Sequence, residues 1–341
     1  MFEGFIEERI DCAGTQLFVR RSPGAEGKPP LLLLHGFPQT SAMWRDVAPR
    51  LTDAFEVICP DLRGYGASDK PGADRPGEDA EHALYSKRAM GQDFVALMQA
   101  LGHERFFVVG HDRGGRVAHR MALDHPVQIP ALMVLDIAPT REMYARADAR
   151  FATAYWHWFF LTQPYPIPER IIGADPDLFL ELRTLGLGGG EHPFSAQALE
   201  EYRRCHRDPA TIHAICEDYR AAYTIDIAHD DADEDRKAGS TLRQPLSVLW
   251  ASAGIIDATY GALAIWRERA EQVTGRAFPG SHYFPEERPE ELADEIRGFS
   301  LAEASAELVS ICVPALLLEG GFDGASRSKS QTQNQARQKE E

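Results

Sequence analysis

Short apolar runs alternate along the chain with segments of helical periodicity. The apolar runs have the length of buried strands and lie at residues 31–34, 55–59, 106–109, 131–135, 245–250 and 276–278. Helical periodicity is found at about 85–101, at 117–123 and at 261–273. Strands that alternate with helices predict an α/β protein with a mostly parallel sheet flanked by helices.

Polar residues follow several of these predicted strands. They are His35, Asp61, Asp112, Asp136 and His282. In open parallel sheets, ligands bind beyond the carboxyl ends of the strands. We therefore expect these residues to border a functional site.

The pattern changes between residues 139 and 236, which are rich in aromatics and helical periodicity and show no clear strand. This predicts an inserted helical cap (139–236) between two parts of an α/β core (1–138 and 237–302), a cap being able to exclude water and contact substrate. We interpret the acidic stretch at 229–235 as a loop returning to the core. For residues 303–341 the composition predicts a C-terminal extension that is largely disordered.

Composition and charge exclude several classes of function. No stretch has the length of a membrane span and no leader-like segment is recognisable, which predicts a cytoplasmic protein without a membrane partner. The cysteines lie far apart, without metal-ligand spacing, which is typical of reduced thiols: Cys12, Cys59, Cys205, Cys216 and Cys312. A net charge of −16 argues against nucleic acid as a partner, and it requires a local cationic site for any anionic substrate.

The segment Gly110-His111-Asp112-Arg113-Gly114-Gly115-Arg116 follows an apolar strand and precedes a helix, which is the context of a nucleophile elbow. It has aspartate where hydrolases of this layout more often have serine. Displacement at an alkyl carbon by aspartate gives an ester that water can cleave, whereas serine would give a stable ether. The elbow therefore favours displacement at saturated carbon. The alternative is that Asp112 only caps the helix.

The order of candidate residues along the chain suggests partners for Asp112. His282 follows the nucleophile and an acid in the order expected for this elbow, and is the candidate general base. Asp136, at the end of a strand, is preferred over Asp257 as the acid that orients this histidine. The oxyanion hole is expected to use the backbone N–H groups of Phe37 and Arg113.

Arg113 and Arg116 lie three residues apart in the first turn of the helix and share a face. Two cations there oppose the positive end of the helix dipole, at a cost of about 0.3–1 kcal/mol each. Something anionic should compensate. The sequence leaves two possibilities, a salt bridge to nearby acids or a bound substrate carboxylate with its alpha carbon in front of Asp112.

The chain resembles the haloacetate (fluoroacetate) dehalogenases of the α/β-hydrolase fold over roughly residues 1–300. The resemblance is carried by the elbow together with Tyr155-Trp156-His157-Trp158-Phe159-Phe160, Cys216-Glu217-Asp218-Tyr219-Arg220-Ala221 and Gly280-Ser281-His282. It implies Asp112 as nucleophile, His282 as base and Asp136 as its orienting acid. It also implies substrate carboxylate binding by Arg113 and Arg116, and halide binding by His157, Trp158 and Tyr219.

By the same resemblance the protein hydrolyses fluoroacetate or chloroacetate to glycolate and halide, as a homodimer without a metal or organic cofactor. Leu187 replaces a tryptophan found in some relatives, which affects the expected size of the pocket. Two other functions remain open at this stage. An epoxide hydrolase shares the aspartate nucleophile but uses cap tyrosines and has no need of paired arginines, and a carboxylate receptor on this scaffold would need no catalytic residues.

Overall fold

The computed structural model describes residues 1–24, 27–185, 192–236 and 241–303. Within them, eight strands form one sheet in the order β1-β2-β4-β3-β5-β6-β7-β8. Their bounds are Ile6–Cys12 (β1), Thr15–Arg21 (β2), Pro30–Leu34 (β3), Glu56–Pro60 (β4), Phe107–His111 (β5), Leu132–Leu135 (β6), Leu246–Ala251 (β7) and Val273–Phe278 (β8). All pairs from β4 to β8 are parallel, which confirms the predicted mostly parallel sheet.

The hairpin β1–β2 at one edge is antiparallel and was not predicted from the sequence. Residues of β1 alternate between exposed and half-buried, so the strand carries no apolar run. By contrast, every residue of β5 and β6 is buried. Central parallel strands are covered on both faces, and they are therefore the ones that an apolar run identifies.

The helices fall into two groups, those of the core and those of the long insertion between β6 and β7. The core helices are Lys87–Ala100 (α1), Arg113–Asp124 (α2), Ile256–Tyr260 (α11), Ala262–Arg267 (α12) and Phe284–Glu287 (α13), with a further helix from residue 289 through 303. Between β6 and β7 lie Thr140–Ala145 (α3), Ala149–Ala154 (α4), Trp156–Leu161 (α5), Ile167–Ala174 (α6), Pro176–Thr184 (α7), Ala196–His206 (α8), Pro209–Tyr223 (α9) and Ile225–Arg236 (α10). No strand occurs in this insertion outside its undescribed residues 186–191.

Two expectations about secondary structure are wrong. The acidic stretch at 229–235 is part of helix α10 and not a loop, because arginines pair with its acids: Arg120 of the core lies 2.6 Å from Asp233, and Arg141 of α3 lies 2.5 Å from Asp231. The helix predicted at 261–273 ends at residue 267, since residues 273–278 pair with β7 along their whole length.

Some expectations concern parts of the chain that lie outside the described residues. They are Leu187 in the insertion, Cys312, and the extension from residue 304 onward. The other four cysteines are buried free thiols. No helix among the described residues has the length and apolar character needed to cross a membrane.

Candidate active site

Asp112 occupies the sharp turn between β5 and α2. Its backbone has φ 46° and ψ −112°, an unfavourable conformation for a non-glycine residue. The turn is possible because glycines allow close approach on either side. A Cβ on Gly114 would lie 2.4 Å from the carbonyl oxygen of His35, and one on Gly36 would lie 2.4 Å from the Cβ of Asp112. The elbow predicted from the sequence is thus present, with Asp112 at its tip.

The carboxylate of Asp112 has two different oxygen environments. The backbone N–H of Phe37, in the turn after β3, donates to its Oδ1 at 3.0 Å. Its Oδ2 lies 3.9 Å from Nε2 of His282, too far for a direct hydrogen bond. The turn after β3 is held by His35, whose Nε2 accepts the N–H of Leu62 at 2.9 Å. One oxygen is thus fixed by the turn, and the other is free to react.

His282 is oriented by two contacts. Its Nδ1 lies 2.6 Å from Oδ2 of Asp136, whose Oδ1 accepts the backbone N–H of Ala251 at 2.9 Å. Nε2 of His111 lies 2.8 Å from the backbone carbonyl of His282, a contact that the sequence analysis missed. Asp257, the alternative acid, instead binds the backbone N–H of the residue at the start of α12.

The charges of these groups shift their pKa values in a consistent pattern. Burial raises the pKa of Asp112, but the charges of His282, Arg116 and Arg113 outweigh burial and lower it overall. Burial lowers the pKa of His282, but the hydrogen bond to Asp136 and the negative charge of Asp136 outweigh burial and raise this pKa above its ordinary value. For Asp136, the same hydrogen bond outweighs burial and lowers the pKa. An ionised Asp112 therefore faces His282, whose ring is oriented by the carboxylate of Asp136.

Arg113 is fully buried and carries its own counter-ion. Its Nε and Nη2 donate to the carboxylate of Asp218, on α9, at 2.8 and 2.7 Å. Asp218 also pairs with Lys87 and accepts the hydroxyl of Tyr65 at 2.6 Å. The salt bridge that the sequence left as one of two possibilities is therefore present. Only Nη1 of Arg113 lacks a hydrogen-bond partner.

Arg116 differs, because its partners in the described part of the chain are neutral. Its Nη1 donates to the carbonyl of Ala138 and to Oγ1 of Thr140, both at 2.9 Å, and its Nη2 lies 3.3 Å from Sδ of Met143. Its Nε is buried without a partner. The inference that an anion compensates the elbow arginines thus applies to Arg116 and is weakened for Arg113.

The three aromatic residues implied as halide ligands lie together beside these arginines. The guanidinium of Arg113 lies 4.1 Å from the ring centre of Tyr219, and that of Arg116 lies 4.6 Å from the ring of Trp158. The rings of His157 and Tyr219 are 5.7 Å apart, and those of Trp158 and Tyr219 are 6.2 Å apart. Residues from α2, α5 and α9 therefore form one contiguous group.

This group leaves an unusual number of polar atoms unsatisfied. Buried atoms without a hydrogen-bond partner include Nη1 of Arg113, Nε of Arg116, Nδ1 of His157, Nε1 of Trp158 and the hydroxyl of Tyr219. Burial and the charge of Arg183 hold the pKa of His157 well below its ordinary range, so its ring is neutral. Because unpaired buried donors are costly, a cluster of them indicates a place for a ligand rich in acceptors.

A cavity of about 520 Å³ opens in front of Asp112. Its lining comes from the strand ends and from the insertion: Phe37, Asp112, Asp136, Thr153, Ala154, Tyr155, Trp156, His157, Leu182, Arg183, Ala253, Gly254, Ile255, His282 and Tyr283. The sequence analysis did not identify Arg183 or Asp218, although Asp218 lies inside a motif that it quoted.

One group of described residues has metal-ligand geometry, and it lies elsewhere. Glu169, His213 and Glu217 offer ligand atoms within 4.8 Å of one another. The guanidinium of Arg220 already bridges the two carboxylates, at 2.7 and 2.6 Å. A resident cation therefore fills the place that a metal ion would take.

Comparison with known proteins identifies the relatives of this chain. Residues 29–182 match the model of the alpha/beta hydrolase fold family. Fluoroacetate dehalogenase from Burkholderia sp is 46% identical over 88% of this chain and 95% of its own length. A crystal structure assigned to an α/β hydrolase from Nostoc sp PCC 7120 is 48% identical, with a TM-score of 0.82, over 88% of this chain and 99% of that chain.

Epoxide hydrolases are also related, at lower identity. The soluble epoxide hydrolase of Corynebacterium sp. (strain C12) is 32% identical over 78% of this chain and 87% of its own length. The two kinds of enzyme thus share a scaffold, and the residues around Asp112 must distinguish them. From its similarity over most of its length, the chain belongs to the α/β-hydrolase fold superfamily and, within it, to the fluoroacetate dehalogenase family of hydrolases acting on carbon–halide bonds.

Proposed function

We propose that the protein hydrolyses haloacetates such as fluoroacetate and chloroacetate to glycolate and halide, with water as the only other reactant. The observation that carries this proposal is the cluster of unpartnered buried donors beside Asp112. A haloacetate has a carboxylate and a departing halide, both of which accept hydrogen bonds. An epoxide has one acceptor oxygen and no carboxylate.

In the first step, Oδ2 of Asp112 attacks the alpha carbon, a C–O bond forms, and the carbon–halogen bond breaks with its electron pair leaving on the halide. Support comes from the fixed position of Oδ1 against the N–H of Phe37, which leaves Oδ2 facing the base. The lowered pKa of Asp112 keeps it ionised at neutral pH. The product of this step is an aspartyl ester.

In the second step, Nε2 of His282 takes a proton from water, and the oxygen of that water attacks Cγ of Asp112. Negative charge then develops on Oδ1, which already accepts the N–H of Phe37, and the N–H of Arg113 is proposed as the second donor. Collapse of this intermediate breaks the Cγ–O bond to glycolate, whose leaving oxygen takes the proton from His282. The new carboxyl group of Asp112 then releases its proton to solvent, which restores the carboxylate. Asp136 holds the tautomer of His282 and stabilises its protonated form.

The remaining residues bind the two ends of the substrate. We assign the carboxylate to Nε of Arg116 and Nη1 of Arg113, the nitrogens of the two elbow arginines that are buried without a partner. We assign the departing halide to the donors of His157, Trp158 and Tyr219. Fluoride is a poor leaving group, and donors in a closed site stabilise its charge as it develops.

The test is halide release measured with a fluoride-selective or chloride-selective electrode. We expect fluoride from fluoroacetate or chloride from chloroacetate, with equimolar glycolate. Turnover of a styrene-type epoxide without halide release from any haloacetate would show an epoxide hydrolase instead. Tight carboxylate binding with no turnover of either class would indicate a receptor.

We also propose that residues 139–236 act as the cap of this site. A separate proposal is that two chains associate as a homodimer through this insertion. Apolar side chains are exposed on neighbouring helices of the insertion, namely Ile167 and Ile171 on α6 and Leu178 on α7. Light scattering should give twice the 37.9 kDa mass of one chain. A single-chain mass at micromolar concentration would contradict the dimer.

A further inference from the structure

Arg183 is a cation of the cavity wall with no role in the steps above. It lies in the last turn of α7 and lines the same cavity as Asp112 and His282. Its side chain is half-buried, its Nε is closed to solvent without a hydrogen-bond partner, and no described carboxylate pairs with it. An arginine in this condition is costly unless an anion reaches it.

Its position at the end of a helix explains this only in part. A cation in the last turn is favoured by the helix dipole. That effect does not satisfy a guanidinium nitrogen that is buried against a cavity. Other arginines with little exposed surface do have acidic partners, for example Arg20 with Glu201 and Arg63 with Asp93.

The charge balance of the cavity shows why a further cation matters. Asp112 carries a negative charge that repels an incoming carboxylate, and the charge of Arg113 is already offset by Asp218. Of the two elbow arginines, only Arg116 has a charge that no described carboxylate offsets by a salt bridge. Since the whole chain has a net charge of −16, approach from solvent is also unfavourable for an anion.

We propose that Arg183 attracts the carboxylate of the substrate into the cavity and so selects anionic over neutral substrates. This inference rests on the proposed function, because it assigns Arg183 to the same substrate. The positive charge of Arg183 is felt inside the site: after burial, it is the largest cause of the lowered pKa of His157. Arg183 takes no part in bond making or breaking, so its effect is expected on binding.

The test compares Arg183→Gln with Arg183→Lys and with Arg267→Gln. Arg267 is an exposed arginine in the last turn of α12 and does not line the cavity, so it matches the change in net charge and in helix position. For chloroacetate, we expect Arg183→Gln to raise KM about tenfold with kcat within about twofold, because one positive charge near the bound carboxylate is lost. We expect Arg183→Lys to restore most of the affinity and Arg267→Gln to match the wild type.

The salt dependence of kcat/KM is a second test of the same charge. The kcat/KM of the wild type should fall with added salt more steeply than that of Arg183→Gln. If Arg183→Gln does not fold, Arg183→Met, which also removes the charge, takes its place in the same comparisons. A salt-independent wild type, an unchanged KM in Arg183→Gln, or a loss confined to kcat would overturn the proposal.

Calorimetric binding of acetate separates this inference from the proposed function. If the wild type releases no halide from any haloacetate, the proposed function fails, yet acetate still probes Arg183. Acetate binding that weakens about tenfold in Arg183→Gln supports the proposal. Equal binding by both proteins, or no binding by the wild type, refutes it.

Discussion

The assignment of halide ligands makes a quantitative prediction for Trp158→Phe. Trp158 is fully buried, its indole N–H has no partner, and its ring lies over the guanidinium of Arg116. Phenylalanine keeps a ring over the arginine and removes the N–H. The expected loss is therefore mainly that of one hydrogen-bond donor to the departing halide.

The size of the loss should depend on the halide. Removing one preorganised donor from a closed site costs about 100-fold in kcat when charge is concentrated on the acceptor, as on fluoride. Because chloride is larger and a better leaving group, we expect a smaller loss of kcat for chloroacetate, about tenfold. The ratio of the kcat values for fluoroacetate and chloroacetate should therefore fall about tenfold, or about 1.4 kcal/mol.

Trp266→Phe is the matched control. Trp266 is equally buried, but its indole N–H donates to the carbonyl of Ile137 at 2.9 Å, and its ring packs on His119 rather than on an elbow arginine. Its replacement should lower stability and leave the ratio of the two substrates unchanged. Electrode assays at saturating substrate measure both ratios. A ratio for Trp158→Phe equal to that of the wild type would refute the halide assignment.

Three further predictions concern the base and the buried charges. Ester formation removes the negative charge of Asp112, one of the charges that raise the pKa of His282. The pH below which ester hydrolysis is lost should therefore lie lower than the pKa of His282 in the free enzyme. NMR titration gives the pKa and pH-jump kinetics give the pH dependence of hydrolysis, and coincident values would contradict this prediction. His282→Asn should accumulate an aspartyl ester visible by mass spectrometry, and normal product release by this variant would exclude it as the base. Asp218→Asn should destabilise the fold by about 3–5 kcal/mol in denaturant unfolding, because Arg113 would keep a buried charge without its counter-ion, whereas exposed Asp231→Asn should cost about 0–1 kcal/mol.

The fold and the elbow could be predicted because their signals are local. Apolar runs mark β5 and β6, and the glycines around Asp112 mark the tight turn that follows. Chain order was enough to suggest His282 and Asp136, which the structure brings within 2.6 Å of each other. The edge strand β1 carries no such signal, because its residues alternate in exposure.

The ionic partners could not be predicted, because they depend on how the insertion packs on the core. Asp218 is 105 residues from Arg113 in sequence, and only the folded position of α9 brings its carboxylate to the start of α2. Arg183 was missed for a similar reason, since only the fold brings the end of α7 to the cavity in front of Asp112. Charge crowding at the elbow correctly indicated that an anion was needed, but it could not separate an internal aspartate from a substrate.

A single turnover in heavy-oxygen water shows whether Asp112 itself displaces the halide. With enzyme in excess over chloroacetate, the first glycolate should carry an ordinary oxygen from Asp112. The peptide containing Asp112 should gain one heavy oxygen, seen as an increase of about 2 Da by mass spectrometry, because water attacks the ester at Cγ. Heavy oxygen in the glycolate with an unlabelled peptide would mean that water attacks the substrate directly, and would exclude Asp112 as the nucleophile.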